Sequence, residues 1–413
     1  MSIYDVESSQ ALKGLKVLQL GLSGMILFIT RFFADYGATV IWIESQTHPD
    51  IMRSSAPYFG GIVSPNRSCG VIPCSTSSFS MGVNIRKPKG VEIVKRLAGW
   101  ADIITASYAP GVLEKRGLGY KDLQSINPGA IVVTGSALGD SGPFARLPGF
   151  GWTQKALCGV NEYTGWPDRE PTVGPPLAYP DHCVPFIAFP AIMAALEYRR
   201  ATGKGQHVEF SQLEGMLSFV PAHLLLQYTA NREVPTRLGN RSPDGAPCGA
   251  FPCRGEDRWC VISVRTDEEW RRLARVIGLR WTNSRRFATF PRRKENEDEL
   301  EKLIAGWTAG LTPHQVMERL QAAGVAAGVV QNYAEILEQD PQMKHRGFFT
   351  KLSRPELEDV SHSGWPARLS RTPAVMRPTP RLGEHTYTIC KEVLNMSDDE
   401  FTALLNEGVL EVT

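Results

Sequence analysis

No stretch of this 413-residue chain stays apolar for the roughly 18–20 residues a bilayer demands. Met1 to Gln10 is polar and acidic, where a secretory leader would be basic and then apolar. A cytoplasmic protein with no membrane partner is the expectation. An excess of one charge is lacking too: 45 Lys and Arg stand against 43 Asp and Glu, so no general field draws nucleic acid. The eight cysteines include no CxxC. Cys69–Cys74 and Cys248–Cys253 each enclose four residues, but no histidine cluster accompanies them, and tetrahedral metal sites use tighter spacings. No metal is expected, and reduced, buried thiols are. GxGxxG is missing as well, and that bears on the opening of the chain.

What is present begins with short apolar runs separated by amphipathic segments. Lys16 to Gly21 (KVLQLG), a segment carrying Phe28, Phe32 and Phe33, and Ala38 to Glu44 (ATVIWIE) read as strand, helix, strand. Such units build parallel sheets with right-handed crossovers. Glu44 lies where a dinucleotide-binding acid would reach a ribose, but the turn Gly21-Leu22-Ser23-Gly24 gives a pyrophosphate no close backbone approach of that kind. Arg86 to Trp100 puts Val91, Val94 and Leu97 on one face and basic residues on the other, a helix. With strands at Asp102 to Thr105 and Ile131 to Gly135, the start of a doubly wound α/β fold follows. Open α/β sheets bind ligands beyond the carboxyl ends of their strands, which nominates the loops after Gly21, Thr105 and Gly135. Downstream, Pro221 to Ala230 reads as helix, Trp259 to Val264 as strand, Glu268 to Gly278 as helix, and the charged Arg292 to Lys302 as a solvated helix face. Leu311 to Ala323 starts a helix with Pro in its first turn, and Val325 to Val330 reads as a strand. The 42% hydrophobic content suffices for two or three domains of about 100–200 residues each.

The densest signal runs from Gly174 to Leu217. A Pro-rich entry (Pro175, Pro176, Pro180) delivers Asp181 to the start of a segment where Phe186, Phe189, Met193 and Leu196 recur at helical spacing. An Asp there can simply cap the helix by accepting an unpaired backbone N–H. The continuation is less ordinary: Ala194-Ala195-Leu196, the basic pair Arg199-Arg200, then Thr202-Gly203-Lys204-Gly205-Gln206 leading into His207 to Ser211. Further marks are Leu12 to Leu18 (LKGLKVL), Ala34-Asp35-Tyr36-Gly37-Ala38 with Glu44, Tyr108-Ala109-Pro110-Gly111, Gly117-Leu118-Gly119-Tyr120, and Leu382-Gly383-Glu384-His385-Thr386. Together they resemble the class III CoA-transferases, the CaiB/BaiF type, over nearly the whole chain.

The resemblance implies a doubly wound, Rossmann-like large domain plus a smaller α+β domain. Residues 1–220 would form the N-terminal part of the large domain, 225–330 the small domain, and 335–413 a segment returning to the large one. Two subunits would thread through each other as interlocked rings. It also implies that Asp181 is the nucleophile, attacking an acyl-CoA thioester to give a mixed anhydride and then an aspartyl-CoA thioester. The substrates would be an acyl-CoA and a free carboxylic acid, with no tightly bound cofactor. Water must be excluded from such intermediates. The family's glycine-rich shielding loop has its counterpart near Leu238-Gly239-Asn240-Arg241. His182 diverges from its neighbour Asp181 and reads as structural or solvent-facing.

The chain also departs from the pattern. A related racemase uses a His-Asp pair where Phe150 and Gly151 stand here, so the acid/base partners for racemisation are missing. Gly24-Met25 replaces Gly-Pro, Trp42 replaces a Lys, Ala106-Ser107-Tyr108 replaces Glu-Asn-Phe, and Ser75, Ser78 and Phe79 replace an Asn and a Lys-Arg pair. Several of these are basic positions that would meet the CoA phosphates, and Ser, Phe or Trp does not replace a charged contact. Either CoA is held by other cations, namely Arg53, Arg67, Arg86 and Lys87, with Ser107, Tyr108 and Ala137 from the strand-end loops, or the chain is the assisting or silent half of a heteromer with a homologous second subunit. The second is favoured, as a heterodimer or heterotetramer, with a homodimer as the alternative. Gly-Asn-Arg-x-Pro and Pro-Cys-Arg-Gly-x-Asp-Arg-Trp look most like the branch that activates arylsuccinates such as benzylsuccinate with succinyl-CoA as donor.

Overall fold

The computed structural model describes residues 2–3, 10–21, 24–172, 178–219 and 222–413. Leu22 and Ser23 of the first turn, Pro175 and Pro176 of the Pro-rich entry, and Pro221 lie outside the described residues. The chain forms two compact units. One comprises Met1–Val160, Pro175–Arg232 and His345–Thr413, the other Asn161–Gly174 and Glu233–Lys344.

The first unit is built on strands β1 (Lys16–Leu20), β2 (Thr39–Glu44), β3 (Phe79–Val83), β4 (Ile103–Ala106), β5 (Ile131–Ser136) and β6 (His207–Ser211). Their order is β3-β2-β1-β4-β5-β6, all parallel, with the short final strand Leu410–Glu411 antiparallel on the β3 edge. The chain reverses direction across the sheet between β1 and β4, which opens a crevice at their carboxyl ends. Side chains alternate between two cores. Val17, Val40, Ile103 and Val133 face one; Leu18, Ile41, Ile104 and Val132 face the other. Both faces of the sheet are thus covered, as a parallel sheet requires. On the first lie α1 (Gly24–Asp35), through Ile26, Ile29 and Phe33, and the long helix Pro185–Thr202, through Ala188, Phe189 and Ile192. On the second lie α2 (Pro88–Trp100) and α3 (Tyr120–Ile126), with Val91, Val94 and Leu97 inward as their spacing predicts. Burying each such side chain is worth about 1.5–3 kcal/mol.

The Thr-Gly-Lys-Gly-Gln signature ends the long helix. Gly203 takes φ 74°, the left-handed conformation that stops a helix, and its N–H caps the Arg199 carbonyl. Arg199 in turn reaches Asp102 at 2.7 Å, while the other Asp102 oxygen accepts the Lys16 N–H at 2.8 Å. The helix C-terminus is thereby fastened to the start of β1, and its N-terminus is directed toward the opposite, carboxyl end of the sheet.

The second unit holds an antiparallel sheet, β7 (Cys248–Pro252), β8 (Trp259–Ser263) and β9 (Ala326–Val329), in that order. Helices Asp267–Ile277, Glu297–Thr308 and Pro313–Ala322 pack on it through Trp270, Leu273, Leu300, Ile304, Val316 and Leu320. The run Arg292 to Lys302 departs from its sequence reading. It breaks at Asn296 into two helices, and Arg293 is fully buried: its Nε donates to the Ala246 carbonyl at 2.7 Å, and Asp267 pairs with it at 2.9 Å. The segment Leu238 to Arg241, the expected counterpart of a glycine-rich shield, is pinned. Gly239 N–H bonds the Gly165 carbonyl at 2.9 Å, and Arg241 reaches Glu301 at 2.6 Å as well as Asp298.

No described helix is long and apolar enough to cross a membrane.

Candidate active site

Asp181 lies within a short helix, Tyr179–Cys183, one residue before the long helix Pro185–Thr202 begins. It therefore does not cap the long helix, as its position in the sequence suggested it could. Its carboxylate instead meets a side-chain donor from another helix. Gln212, the first residue of the helix Gln212–Phe219, donates from Nε2 to Asp181 Oδ1 at 2.7 Å. The backbone N–H of Met25, in the first turn of α1, lies close enough to favour the charged form of this carboxylate. A helix N-terminus carries partial positive charge and favours an anion. Gln212 is itself held: its Oε1 accepts from Gln154 Nε2 at 2.8 Å, Gln154 being on α4 (Gly151–Leu157). Both glutamines are buried.

The close packing of these helices depends on two glycines. A Cβ on Gly151 would stand 2.9 Å from the Ala178 Cα, and one on Gly215 would stand 2.8 Å from a Val184 methyl. Real Cβ atoms do not approach that closely, so α4 and the Gln212 helix reach the Asp181 helix only with glycine at these points.

Burial raises the pKa of Asp181, and the Gln212 amide and the Met25 N–H pull it back down. Half-buried and cradled by donors, the carboxylate is a desolvated anion with one oxygen held. His182 points away to an exposed position, its ring edge-on to Phe28 at 4.6 Å. Cys74 feels both Asp181 and Asp50, and burial above all pushes its pKa to about 12. It stays a thiol and offers no competing nucleophile.

Asp50 is a second buried carboxyl near this site. Its Oδ1 accepts the Met52 N–H at 2.8 Å, and its Oδ2 has no hydrogen-bond partner among the described residues. Burial pushes its pKa up to about 7, with Glu44 adding to the rise and the Met52 N–H and Arg53 opposing it. Met52 reaches toward Asp181: a Cβ on Gly24 would lie 3.7 Å from both the Met52 sulfur and the Asp181 Cβ.

The other residues nominated from the sequence are dispersed. Arg53 is completely buried and binds Glu44 through two bonds of 2.5 and 2.7 Å; it also donates to the Pro380 carbonyl and lies 4.8 Å above the Trp42 ring. That geometry makes it the internal counter-ion of Glu44. Glu44, which the sequence also offered to a ribose, is used up in the same pair. Lys87 donates to the Glu407 carbonyl. Half-buried Arg67 and exposed Arg86 make no ion pair among the described residues. Ser107 follows β4, beside Gly21 at the end of β1, and its Oγ is buried with no partner among the described residues; Ser136 Oγ at the end of β5 is the same. Unpaired hydroxyls at strand ends are where this sheet order expects a ligand. The Tyr108 phenol is held protonated, pushed up to about 12 by burial. The Ala137 carbonyl accepts the Leu213 N–H at 3.0 Å, which seats the start of the Gln212 helix. Gln154, Gln212 and the Met25 N–H were not foreseen.

A half-buried carboxylate held by a donor at the C-terminal end of such a sheet stands in a chain that matches the model of CoA-transferase family III over residues 12–386. The chain belongs to this family. It is a CoA-transferase, moving CoA from an acyl-CoA to a carboxylic acid. Over 402 residues it is 31% identical to a succinyl-CoA–D-citramalate CoA-transferase of Chloroflexus aurantiacus, covering 97% of this chain and 98% of that protein. It is 33% identical over 407 residues to a probable CoA-transferase of Mycobacterium tuberculosis, covering 96% of this chain but 50% of that protein, so it spans half the length of that relative. Its fold is similar to that of a CaiB/BaiF family protein from Brucella suis, with a TM-score of 0.85 and 29% identity over 94% of this chain and 100% of the other. The acceptor named for the Chloroflexus relative is no arylsuccinate, and the benzylsuccinate branch gains no support from these likenesses.

Proposed function

We propose that Asp181 is the covalent nucleophile of a CoA-transferase that takes CoA from succinyl-CoA and gives it to a small dicarboxylic acid. The observation that carries this reading is the Gln212 N–H donated to a desolvated Asp181 carboxylate, whose charge the Met25 N–H at the start of α1 also favours. An Asp181 oxygen attacks the thioester carbonyl, the C–S bond breaks, and CoA thiolate leaves with the electron pair. The thiolate then attacks the aspartyl carbonyl of the resulting anhydride and expels succinate, leaving aspartyl-CoA. The acceptor carboxylate displaces the thiolate to form a second anhydride. Thiolate attacks its acyl carbon, and Asp181 departs as carboxylate. In the two steps at the aspartyl carbon, negative charge develops on Asp181's own oxygen. Donors already aimed there bind this charge more tightly than the ground state, which is the condition for catalysis.

The donor and acceptor classes follow the name of the Chloroflexus relative. Arg67 and Arg86, the nominated cations whose side chains make neither an ion pair nor a hydrogen bond among the described residues, are the candidates for the CoA phosphates. Exposed apolar side chains on the helices Pro185–Thr202, Gln212–Phe219 and Ala222–Asn231, among them Phe186, Met193, Phe219, Leu225 and Leu226, support assembly with a second homologous chain. The interlocked dimer is the arrangement proposed.

The test is to incubate the purified chain with succinyl-CoA, add hydroxylamine, and map the peptides. A hydroxamate at residue 181, absent from Asp181→Asn, supports the reading. Lack of modification in the chain alone, with modification of a co-purifying homologue, would favour an assisting subunit instead.

A further inference from the structure

Gln154 does not touch Asp181, yet it governs the group that does. A primary amide has a donor end and an acceptor end of nearly equal size, so nothing in its shape decides which one faces a neighbour. For Gln212 the choice decides the chemistry. With N–H toward Asp181 it stabilises the carboxylate; with Oε1 toward Asp181 it opposes one acceptor to another. Ionised Asp181 accepts only, so the sense of the chain is set from Gln154 Nε2 to Gln212 Oε1, and from Gln212 Nε2 to Asp181 Oδ1.

We propose that Gln154 is a positioning residue which locks the Gln212 amide with its N–H end on Asp181. The structure carries a sign of what this lock costs. Gln154 is 1% exposed, and its own Oε1 is buried with no hydrogen-bond partner among the described residues. A buried unpaired acceptor is rare in proteins and calls for a reason. Turning the Gln154 amide over would move its N–H away from Gln212 and release the lock. The relay deepens the reading of Asp181 as nucleophile: an oxygen held at one point leaves the other to attack, and the same donor serves the oxyanion that follows.

The lock can be read without turnover, through the titration of Asp181 itself. Carbon-13 NMR of carboxyl-labelled aspartate, with Asp181→Asn to assign the resonance, gives its pKa in the intact protein. Gln154→Met has the length of glutamine but neither donates nor accepts, so Gln212 is free to turn. Gln154→Glu, when ionised, accepts only, and draws the Gln212 N–H away from Asp181. The expected order of Asp181 pKa is wild type, then Gln154→Met, then Gln154→Glu, rising. The titratable groups on the elements packed about Asp181, Tyr179, His182, Cys183, Lys155, Glu214, Cys74 and Asp50, are common to all three proteins. In assays the acyl-CoA KM should stay within about twofold, while kcat falls about tenfold in Gln154→Met, less than for loss of an oxyanion donor outright. Circular dichroism and thermal melting check the fold. An unmoved Asp181 pKa in folded variants overturns the proposal, and so does failure of both variants to fold, which would make Gln154 a packing residue only. If the pKa shifts in the expected order while succinyl-CoA never labels wild-type Asp181, it is the transferase chemistry at Asp181 that fails, and the lock stands.

Discussion

Gln212 Nε2 lies 2.7 Å from Asp181 Oδ1, although the two residues are separated by a long helix and a strand of the central sheet. The bond opposes the rise in pKa that burial imposes on Asp181. Removing it in Gln212→Leu should therefore raise that pKa further. Activity requires the ionised form, so the acid limb of kcat/KM should move to higher pH. The loss of kcat should be on the order of 10²-fold, as for an oxyanion donor. A pH–rate profile of the variant beside wild type checks both.

Gly215→Ala places a methyl 2.8 Å from a Val184 side-chain carbon. We expect a loss of about 1–3 kcal/mol by overpacking and a kcat reduced beyond what the folded fraction explains, because the Gln212 helix is pushed off Asp181. Val184→Ala removes the obstructing methyls, and the double variant should recover most of both losses in a double-mutant cycle. Gly151→Ala meets backbone at Ala178 and has no such side-chain rescue.

Asp50 gives stability a pH dependence of defined sign. Its folded pKa of about 7 lies above the ordinary aspartate value of about 3.9. Between these values the folded state holds a proton that the unfolded state has released. Its stabilising contribution is complete below about pH 4 and is lost as pH climbs through about 7, by an amount of order a few kcal/mol. Asp50→Asn keeps the acceptor for Met52 but cannot ionise. Denaturant melts should show the variant gaining on wild type from pH 5 to pH 8.

Glu44 and Arg53 form a fully buried pair, so breaking it from one side should cost about 3–5 kcal/mol, while removing both should cost much less. Arg53→Met, Glu44→Met and the double variant test this by chemical denaturation. An acyl-CoA KM in the double variant that equals wild type would place Arg53 outside CoA binding.

Much of the first unit could be read from sequence because its strands are continuous apolar runs ended by small residues, and α2 carries a clean stripe of Val91, Val94 and Leu97. Asp181 stood out through the spacing of the segment around it. The rest depended on partners that sequence does not connect. Arg53 looked like a free cation because nothing marks Glu44 as its mate. Arg293 looked solvated amid its charged neighbours, but it is inserted beneath Trp270, 5.4 Å from its ring. The Met25 donor is a backbone N–H and has no side-chain signature at all. For Gln154 there was a faint signal, a polar residue between Trp152 and Leu157 in a short helix; for Gln212, only its place directly after β6.

In the proposed reaction Asp181 takes CoA onto its own carboxyl. Brief exposure of the protein to succinyl-CoA, borohydride reduction and peptide mass spectrometry read this directly, since an aspartyl thioester is reduced to homoserine. Homoserine at position 181 alone, and none in the absence of acyl-CoA, is the predicted result. Full transferase activity in Asp181→Ala, or a thioester carried on another residue, would contradict it.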